Sequence, residues 1–320
     1  MYLEHFGLTE YPFSLTPDPR FAVVTPAYTE ILAGLYYGIE MAKGLTVVIG
    51  EVGTGKTMAL RWIIRRLQSG VLASYIVNPH LTVDDFYHHL SSMLGIKQWS
   101  NKSELLSQLG TLLEQRHQRG LRTILIVDEA HELSDQVLEE IRLLLNFEND
   151  TAKFLQVILT GQPELTDRLR QPNLRQLKQR VAFRCKVGVI PSVEEVGMYI
   201  AERLKVAGNS KVNLFEPDSV ELIYQYSEGI PRQVNNLCDN ALLTAYSMSK
   251  KRVTRTIIEE VAENLDMVPD RSALNSSLET VDQAPSPNVL TPRGKEELLG
   301  ENKNNIEEFD AREFRGLREA

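Results

Sequence analysis

The segment Gly50–Thr57 limits the possible folds of this chain more than any other stretch. Its letters, GEVGTGKT, match the phosphate-binding loop pattern G-x-x-x-x-G-K-[ST]. The apolar and β-branched run Leu45–Ile49 precedes the loop and predicts a buried strand, while the residues from Met58 onward have the pattern of a helix. A strand, a glycine-rich loop and a helix in this order predict a P-loop fold that holds a nucleotide by its phosphates.

The residue types of the loop explain how it would bind ATP. Glycine has no Cβ, so backbone N–H groups can point inward, and the N-terminus of the following helix adds partial positive charge. We expect Lys56 to reach the β- and γ-phosphates and the Thr57 hydroxyl to bind Mg²⁺. The predicted nucleotide-binding residues are Glu51, Val52, Gly53, Thr54, Gly55, Lys56, Thr57 and Met58.

A second apolar strand is predicted at Thr123–Val127, and the acidic residues Asp128 and Glu129 follow it directly. Ligands collect at the carboxyl ends of strands in parallel sheets, so these acids should lie beside the phosphate loop. Asp128 is predicted to orient the Mg²⁺ shell and Glu129 to polarise the attacking water, which favours a hydrolase. His131 closes this D-E-A-H sequence. The sequence leaves open whether it contacts the γ-phosphate region or only caps the strand end.

Four regions follow one another along the 320 residues. Residues 1–44 predict a turn-rich lead-in and a helix, both packed on the core. Residues 45–191 alternate strands and helices, which predicts a parallel sheet flanked by helices, and residues 192–267 predict a small all-helical lid of about four helices. Residues 268–320 are rich in Pro, Ser, Asn and charge, which predicts a disordered acidic tail, with a terminal helix left open. The other expected strands are Ala73–Val77, Leu155–Leu159 and Cys185–Ile190.

Charge and cysteine content narrow the class of protein. The net charge of −8 gives no global basic signature of a nucleic-acid coat protein. The two cysteines, Cys185 and Cys238, fit a reducing cytoplasm as small buried apolar residues. The N-terminus lacks the features of a signal peptide, and no apolar run approaches the roughly 18 residues of a membrane span. These features predict a cytoplasmic protein.

A parallel sheet that carries both motifs and is followed by a helical lid resembles the AAA+ branch of P-loop ATPases. The resemblance implies a γ-phosphate sensor on the strand between the two motif strands, with Thr160 preferred and Gln162 second. It also implies an arginine finger that acts on the neighbouring subunit's nucleotide, with Arg180 preferred and Arg184 second. Arg232 resembles the lid sensor, since a cation at a helix N-terminus is unfavourable without an anion partner.

Further residues make the resemblance more specific, namely Tyr2–Leu8, Pro12, Phe13, Thr16–Phe21, Thr160–Leu165 and Gly229–Arg232. With them the chain resembles a bacterial AAA+ family that includes the general secretion pathway A ATPases of type II secretion and the ATPases associated with exosortase loci. The resemblance implies an Mg²⁺-dependent ATPase that forms a homo-oligomeric ring or filament and works with protein components of a membrane export system, peripheral to the inner membrane. The secretion proteins typically continue into a membrane helix and a peptidoglycan-binding domain, which we do not expect here.

A DNA-associated AAA+ regulator is the alternative, because transposition ATPases share the same core. Basic residues between Arg168 and Lys186, and the cluster Lys250–Arg252, keep this function open. The acidic whole chain and the lead-in favour the secretion function. A third function, a nucleotide-gated scaffold without turnover, is disfavoured by Glu129.

Overall fold

A computed structural model gives the fold of residues 2–23, 25–67, 70–77, 80–209 and 213–267. The predicted tail, 268–320, and its terminal helix lie outside these described residues.

A parallel five-stranded sheet forms the centre of residues 45–186, with the strand order β2-β3-β4-β1-β5. Strand β4 therefore lies between β1, which enters the phosphate loop, and β3, which ends before Asp128. This confirms the predicted fold class. The strands are β1 Leu45–Ile49, β2 Val71–Ile76, β3 Arg122–Val127, β4 Gln156–Gly161 and β5 Val181–Lys186.

Helices cover both faces of the sheet, and a helical lid follows it. The predicted four lid helices correspond to the last four helices of the described residues. The helices are α1 Leu3–Phe6, α2 Pro26–Glu40, α3 Lys56–Arg66, α4 Val83–Met93, α5 Lys102–Gln118, α6 Asp135–Leu144, α7 Glu164–Arg170, α8 Arg175–Gln179, α9 Val193–Val206, α10 Pro217–Ser227, α11 Pro231–Ser247 and α12 Arg255–Asn264.

Alternate residues of each central strand enter two separate apolar clusters. In β3, Leu125 and Val127 pack with side chains of α4 to α8, whereas Ile124 and Ile126 pack with side chains of α2 and α3. Successive side chains of a strand point to opposite faces, so a strand covered on both sides must be apolar throughout. The packing explains why β3 is a continuous apolar run.

The last strand is where the sequence-based prediction was wrong. Cys185–Ile190 was expected, but β5 begins at Val181 and ends at Lys186. This strand lies at the sheet edge, pairs only with β1 among the described strands, and alternates exposed with covered residues. An edge strand needs no continuous apolar run. The prediction relied on such a run and therefore placed the strand several residues too far toward the C-terminus. Arg180 consequently lies at the C-cap of α8 and not inside a helix.

The lead-in also packs differently from the expectation for residues 1–44. Helix α2 lies on the sheet, but the buried apolar side chains of residues 2–21 belong to the cluster of the lid helices α9 to α12. Arg203 of α9 is only 3% exposed and donates hydrogen bonds to the carbonyls of Pro12, at 2.7 Å, and Phe21, at 3.3 Å. The lead-in is therefore part of the lid's core, since its side chains complete the apolar face of α9.

One glycine fixes how the lid meets the sheet. Gly229 precedes α11, has φ +69°, and its carbonyl accepts a backbone hydrogen bond of 2.8 Å from the Ile190 N–H. A Cβ at this position would lie 2.1 Å from the Ile190 carbonyl oxygen, so a side chain is excluded. This close approach brings the start of α11 to the phosphate loop.

Candidate nucleotide-binding site

The phosphate loop has the tight backbone that its glycines predict. Gly53 and Gly55 have φ values of +81° and +99°, in the region that favours glycine. Gly50 is packed so closely that a Cβ would lie 2.6 Å from the Val187 carbonyl oxygen. The Thr54 hydroxyl donates to the Glu51 carbonyl at 2.9 Å and closes the turn. Because the loop leads directly into α3, the N–H groups of the loop and those at the N-terminus of α3 can bind the same anion.

Lys56 is the first residue of α3 and is buried, with 6% exposure. Its Nζ donates to the carbonyl oxygens of Gly50, at 2.7 Å, and Glu51, at 3.1 Å. These neutral oxygens satisfy the ammonium group only in part, since a buried cation needs an anion for full compensation. Phosphate oxygens would supply that charge within the same loop.

Three hydroxyl groups converge on the Asp128 carboxylate, which is only 6% exposed. Thr57 Oγ1 and Tyr75 Oη donate to Oδ2 at 3.0 Å and 2.8 Å, and Thr160 Oγ1 donates to Oδ1. The charge of Asp128 and, more strongly, burial raise the pKa of the Tyr75 hydroxyl well above its usual range, so Tyr75 stays a donor. These donors stabilise an ionised carboxylate at the end of β3.

The oxygen donors at this point suit Mg²⁺. The ion prefers hard oxygen ligands and keeps several waters when it is bound through one or two protein groups and substrate phosphates. Thr57 and Asp128 present a hydroxyl and an ionised carboxylate 3.0 Å apart beside the phosphate loop. The residues therefore fit the predicted metal site, in which Thr57 would bind the ion directly and Asp128 would hold the surrounding shell.

Glu129 follows Asp128 and lines the cavity that the phosphate loop also lines. Its backbone has φ +50°, which a non-glycine residue adopts at some cost. One carboxylate oxygen, Oε2, is buried and makes no hydrogen bond to the described residues. Glu129 thus brings a carboxylate to the wall of the cavity, where the proposed activation of water requires an acceptor.

The lid contributes Arg232 from the N-terminus of α11. Its backbone N–H donates to the Gly53 carbonyl at 3.2 Å, and its Cβ lies where a side chain on Gly53 would have to go. The exposed guanidinium has no carboxylate partner within the described part of the chain. The backbone of this lid arginine is thus held beside the phosphate loop.

A cavity of about 750 Å³ lies between the phosphate loop and the lid. The phosphate loop and Glu129 line one side of it, and the lid residues Arg232 and Asn235 line another. Tyr28 of α2 also lines the cavity, and its hydroxyl donates to the Gly55 carbonyl at 3.4 Å. The volume is in the range of pockets that enclose a whole small ligand, roughly 300–1,000 Å³.

The remaining predicted residues lie at separate places. Gln162 follows β4 and bonds to His131, so Thr160 is the residue of this pair that contacts the acidic cluster. Arg184 lines the cavity of its own chain. Arg180 lies elsewhere, where its Nη2 donates to Asn146 Oδ1 at 2.9 Å.

Two residues of the site, Tyr75 and Tyr28, were not predicted from the sequence. Tyr75 lies at the end of β2, the strand next to β3, so a polar residue near the carboxyl end of a neighbouring strand was the available signal. Tyr28 lies on α2, the helix predicted within residues 1–44. Only the packing of α2 against the loop reveals its hydroxyl contact.

Comparison with known proteins agrees with this geometry. The AAA domain family matches residues 39–169. General secretion pathway protein A of Aeromonas hydrophila is 36% identical over 288 residues, which are 87% of this chain and 51% of that protein. The chain carries an AAA domain and is related in sequence to general secretion pathway protein A. It spans about half the length of that relative.

More distant relatives share the same core. The ATP-dependent target DNA activator B of Escherichia phage Mu is 25% identical over 264 residues, 81% of this chain and 78% of that protein. Among solved structures, Cdc6p of Pyrobaculum aerophilum aligns with a TM-score of 0.62 and 15% identity, over 82% of this chain and 73% of that one. The Thermotoga maritima RuvB branch migration motor aligns with a TM-score of 0.52 and 18% identity, over 81% and 78%. These structures support the AAA+ fold.

Within the described residues, none of the helices combines the length and the apolar character that a membrane crossing requires.

Proposed function

We propose that this chain is an AAA+ ATPase that hydrolyses ATP with Mg²⁺ at the interfaces of a homo-oligomer. The cycle of ATP binding and hydrolysis is proposed to assemble or remodel an envelope secretion or export system. The observation that carries the proposal is that Lys56, Glu129 and Arg232 line one cavity although they come from three separate parts of the chain. The 36% identity to general secretion pathway protein A supports the secretion context. In that context the protein works at the cytoplasmic side of the inner membrane, with protein components of the export system as its partners.

Each residue has a distinct task in this proposal. Lys56 exchanges its carbonyl contacts for phosphate oxygens, and Thr57 with Asp128 would hold Mg²⁺, which would neutralise charge on the phosphates. Glu129 accepts a proton from the attacking water as the bond from the water oxygen to the γ-phosphorus forms and the bond from that phosphorus to the oxygen of the leaving ADP breaks. Thr160 contacts the γ-phosphate from the sheet, and Arg232 contacts it from the lid.

The subunit interface is proposed to supply Arg180 as the finger. Its side chain is 36% exposed, and its partners are an amide oxygen at 2.9 Å and the Glu148 carboxylate at 3.9 Å. These contacts are weak enough for a neighbour's nucleotide to replace them, because exposed pairs contribute little. Arg184 lines its own chain's cavity and is therefore the less suitable residue to act on another subunit.

Mixing two inactive variants tests the interface. Arg180→Ala is expected to bind ATP normally but to lose turnover by on the order of 10³-fold, since a finger acts on transition-state charge. A Lys56→Ala subunit keeps Arg180 and can supply it to the intact nucleotide site of an Arg180→Ala neighbour. In a random head-to-tail assembly, an equal mixture should recover about a quarter of wild-type turnover per subunit. Activity measured against protein concentration should also rise to a plateau.

Arg175→Ala is the matched control, because this exposed arginine lies on α8, just before Arg180. It should keep wild-type turnover. If the mixture stays inactive although both variants assemble by mass photometry, Arg180 does not act between subunits. Recovery with Arg184→Ala in its place would identify Arg184 as the finger.

A DNA-associated role is the second candidate, favoured by the 25% identity to the phage Mu target DNA activator. Part of the basic stretch is committed to contacts within the chain. Arg168 donates to the His131 carbonyl at 2.6 Å and pairs with Asp135. Fewer cations are therefore free for phosphate contacts than the sequence suggests.

Duplex DNA binding measured between low and high salt separates the two roles. For the secretion role we expect at most weak binding at about 0.15 M salt. Tight ATP-dependent binding, with an affinity that falls steeply as salt rises, would favour the DNA-associated role, since each released counterion steepens that slope.

A further inference from the structure

His131 is buried beside the proposed catalytic carboxylate. The imidazole side chain is only 7% exposed, and its Nδ1 lies 3.4 Å from Glu129 Oε2. Both atoms are buried, and neither makes a hydrogen bond to the described residues. Buried polar atoms without partners cost roughly 1–3 kcal/mol each, so two of them face to face indicate a contact that closes with a small movement.

The other ring nitrogen fixes which atom of His131 carries the proton. Gln162 Nε2 lies 2.9 Å from His131 Nε2. An amide NH₂ group only donates, so His131 Nε2 accepts and the ring proton is on Nδ1. Glu132 Oε1 favours a proton on the same Nε2, but it lies farther away, at 3.4 Å, and its side chain is half-exposed, so the closer Gln162 contact dominates. The tautomer set by Gln162 is thus the one that directs an N–H toward Glu129.

The surroundings hold the ring at this place. Gly161 ends β4 and lies next to the ring, since a Cβ on it would lie 3.4 Å from His131 Nδ1, in van der Waals contact. Arg168 donates to the His131 carbonyl at 2.6 Å and secures the backbone. The ring is therefore fixed relative to β4, the strand whose Thr160 contacts Asp128.

We propose that His131 is a positioning residue for Glu129: its Nδ1–H holds the carboxylate in the orientation that activates water, and Gln162 sets the tautomer. The proposal rests on the proposed ATPase function. A misplaced base lowers the rate of the chemical step but leaves nucleotide binding unchanged. His131 should therefore affect kcat and not the affinity for ATP.

Substitution of His131 tests the contact. His131→Ala should lower kcat by on the order of 10- to 100-fold, with the ATP dissociation constant within about twofold of wild type. His131→Asn should recover much of the loss, because the Asn amide places a donor close to the position of Nδ1. Glu132→Gln is the matched control, since its half-exposed carboxylate touches the same ring but not Glu129. It should behave as wild type.

A double-mutant cycle with Glu129→Gln separates positioning from general damage. If His131 acts through the Glu129 carboxylate, His131→Ala should cost much less in the Glu129→Gln background. An undiminished cost in that background, or an equal loss of ATP affinity, would overturn the proposal.

The tautomer can be measured without any turnover. Nitrogen-15 NMR of the histidine side chains should place the His131 proton on Nδ1 in the wild-type chain, and Gln162→Leu should weaken that preference. A proton on Nε2 would refute the proposed contact. Absence of ATP turnover in the wild-type chain would instead refute the proposed ATPase role, so the two failures are distinguishable.

Discussion

Replacing Lys56 by alanine is expected to abolish ATP turnover. The Lys56 ammonium group is buried at the start of α3, and its Nζ is held 2.7 Å from the Gly50 carbonyl, inside the loop that would surround the phosphates. Alanine removes the positive charge that opposes the phosphates in the ground state and in the transition state. The catalytic efficiency should therefore fall by roughly 10³-fold or more, because such a charge acts strongly in a site that excludes water.

Turnover assays and calorimetric titration with ATP check this result together. Lys43→Ala is a suitable control, because Lys43 precedes β1 and packs on the Tyr37 ring, away from the cavity. Thermal unfolding of both variants shows whether the loop still folds, since Lys56 also donates to two backbone carbonyls. Turnover at the wild-type rate in a folded Lys56→Ala protein would refute the P-loop assignment.

The parts of the site that the sequence predicted are those set by local backbone chemistry. Glycines with positive φ, followed at once by a helix, define the phosphate loop without help from distant residues. Strand β3 was predicted nearly to its ends because a strand covered on both faces must be apolar throughout. Asp128 and Glu129 follow directly from that strand.

The parts that the sequence did not reveal depend on contacts between distant segments. Tyr75 matters because β2 pairs with β3 in a register that brings its hydroxyl to Asp128. That register cannot be deduced from the sequence of either strand alone. Arg203 is buried only because the lead-in folds over α9 and offers its carbonyl oxygens. Strand β5 was misplaced because an edge position relaxes the apolar pattern on which the prediction relied.

Changing Glu129 to glutamine is expected to leave ATP binding intact and to lower turnover by roughly 10²- to 10⁴-fold. The amide has the size of the carboxylate and keeps an oxygen that can face the His131 ring, so the local geometry should survive. It lacks the negative charge that accepts the proton of water. Asp128 keeps its contacts with Thr57, Tyr75 and Thr160, so the Mg²⁺ site remains.

A hydrolysis defect without a binding defect should hold the protein in its ATP-bound form. If that form is the one that self-associates, Glu129→Gln should show larger particles in mass photometry with ATP than the wild-type protein, and the same particles without nucleotide. Glu132→Gln, three residues along, removes a half-exposed carboxylate outside the cavity lining and should change neither measurement. A Glu129→Gln protein that matches the wild type in both turnover and particle size would show that another group activates the water. Because Asp128 is already occupied by three hydroxyl donors, that group would have to come from outside this acidic cluster, such as a carboxylate of the neighbouring subunit.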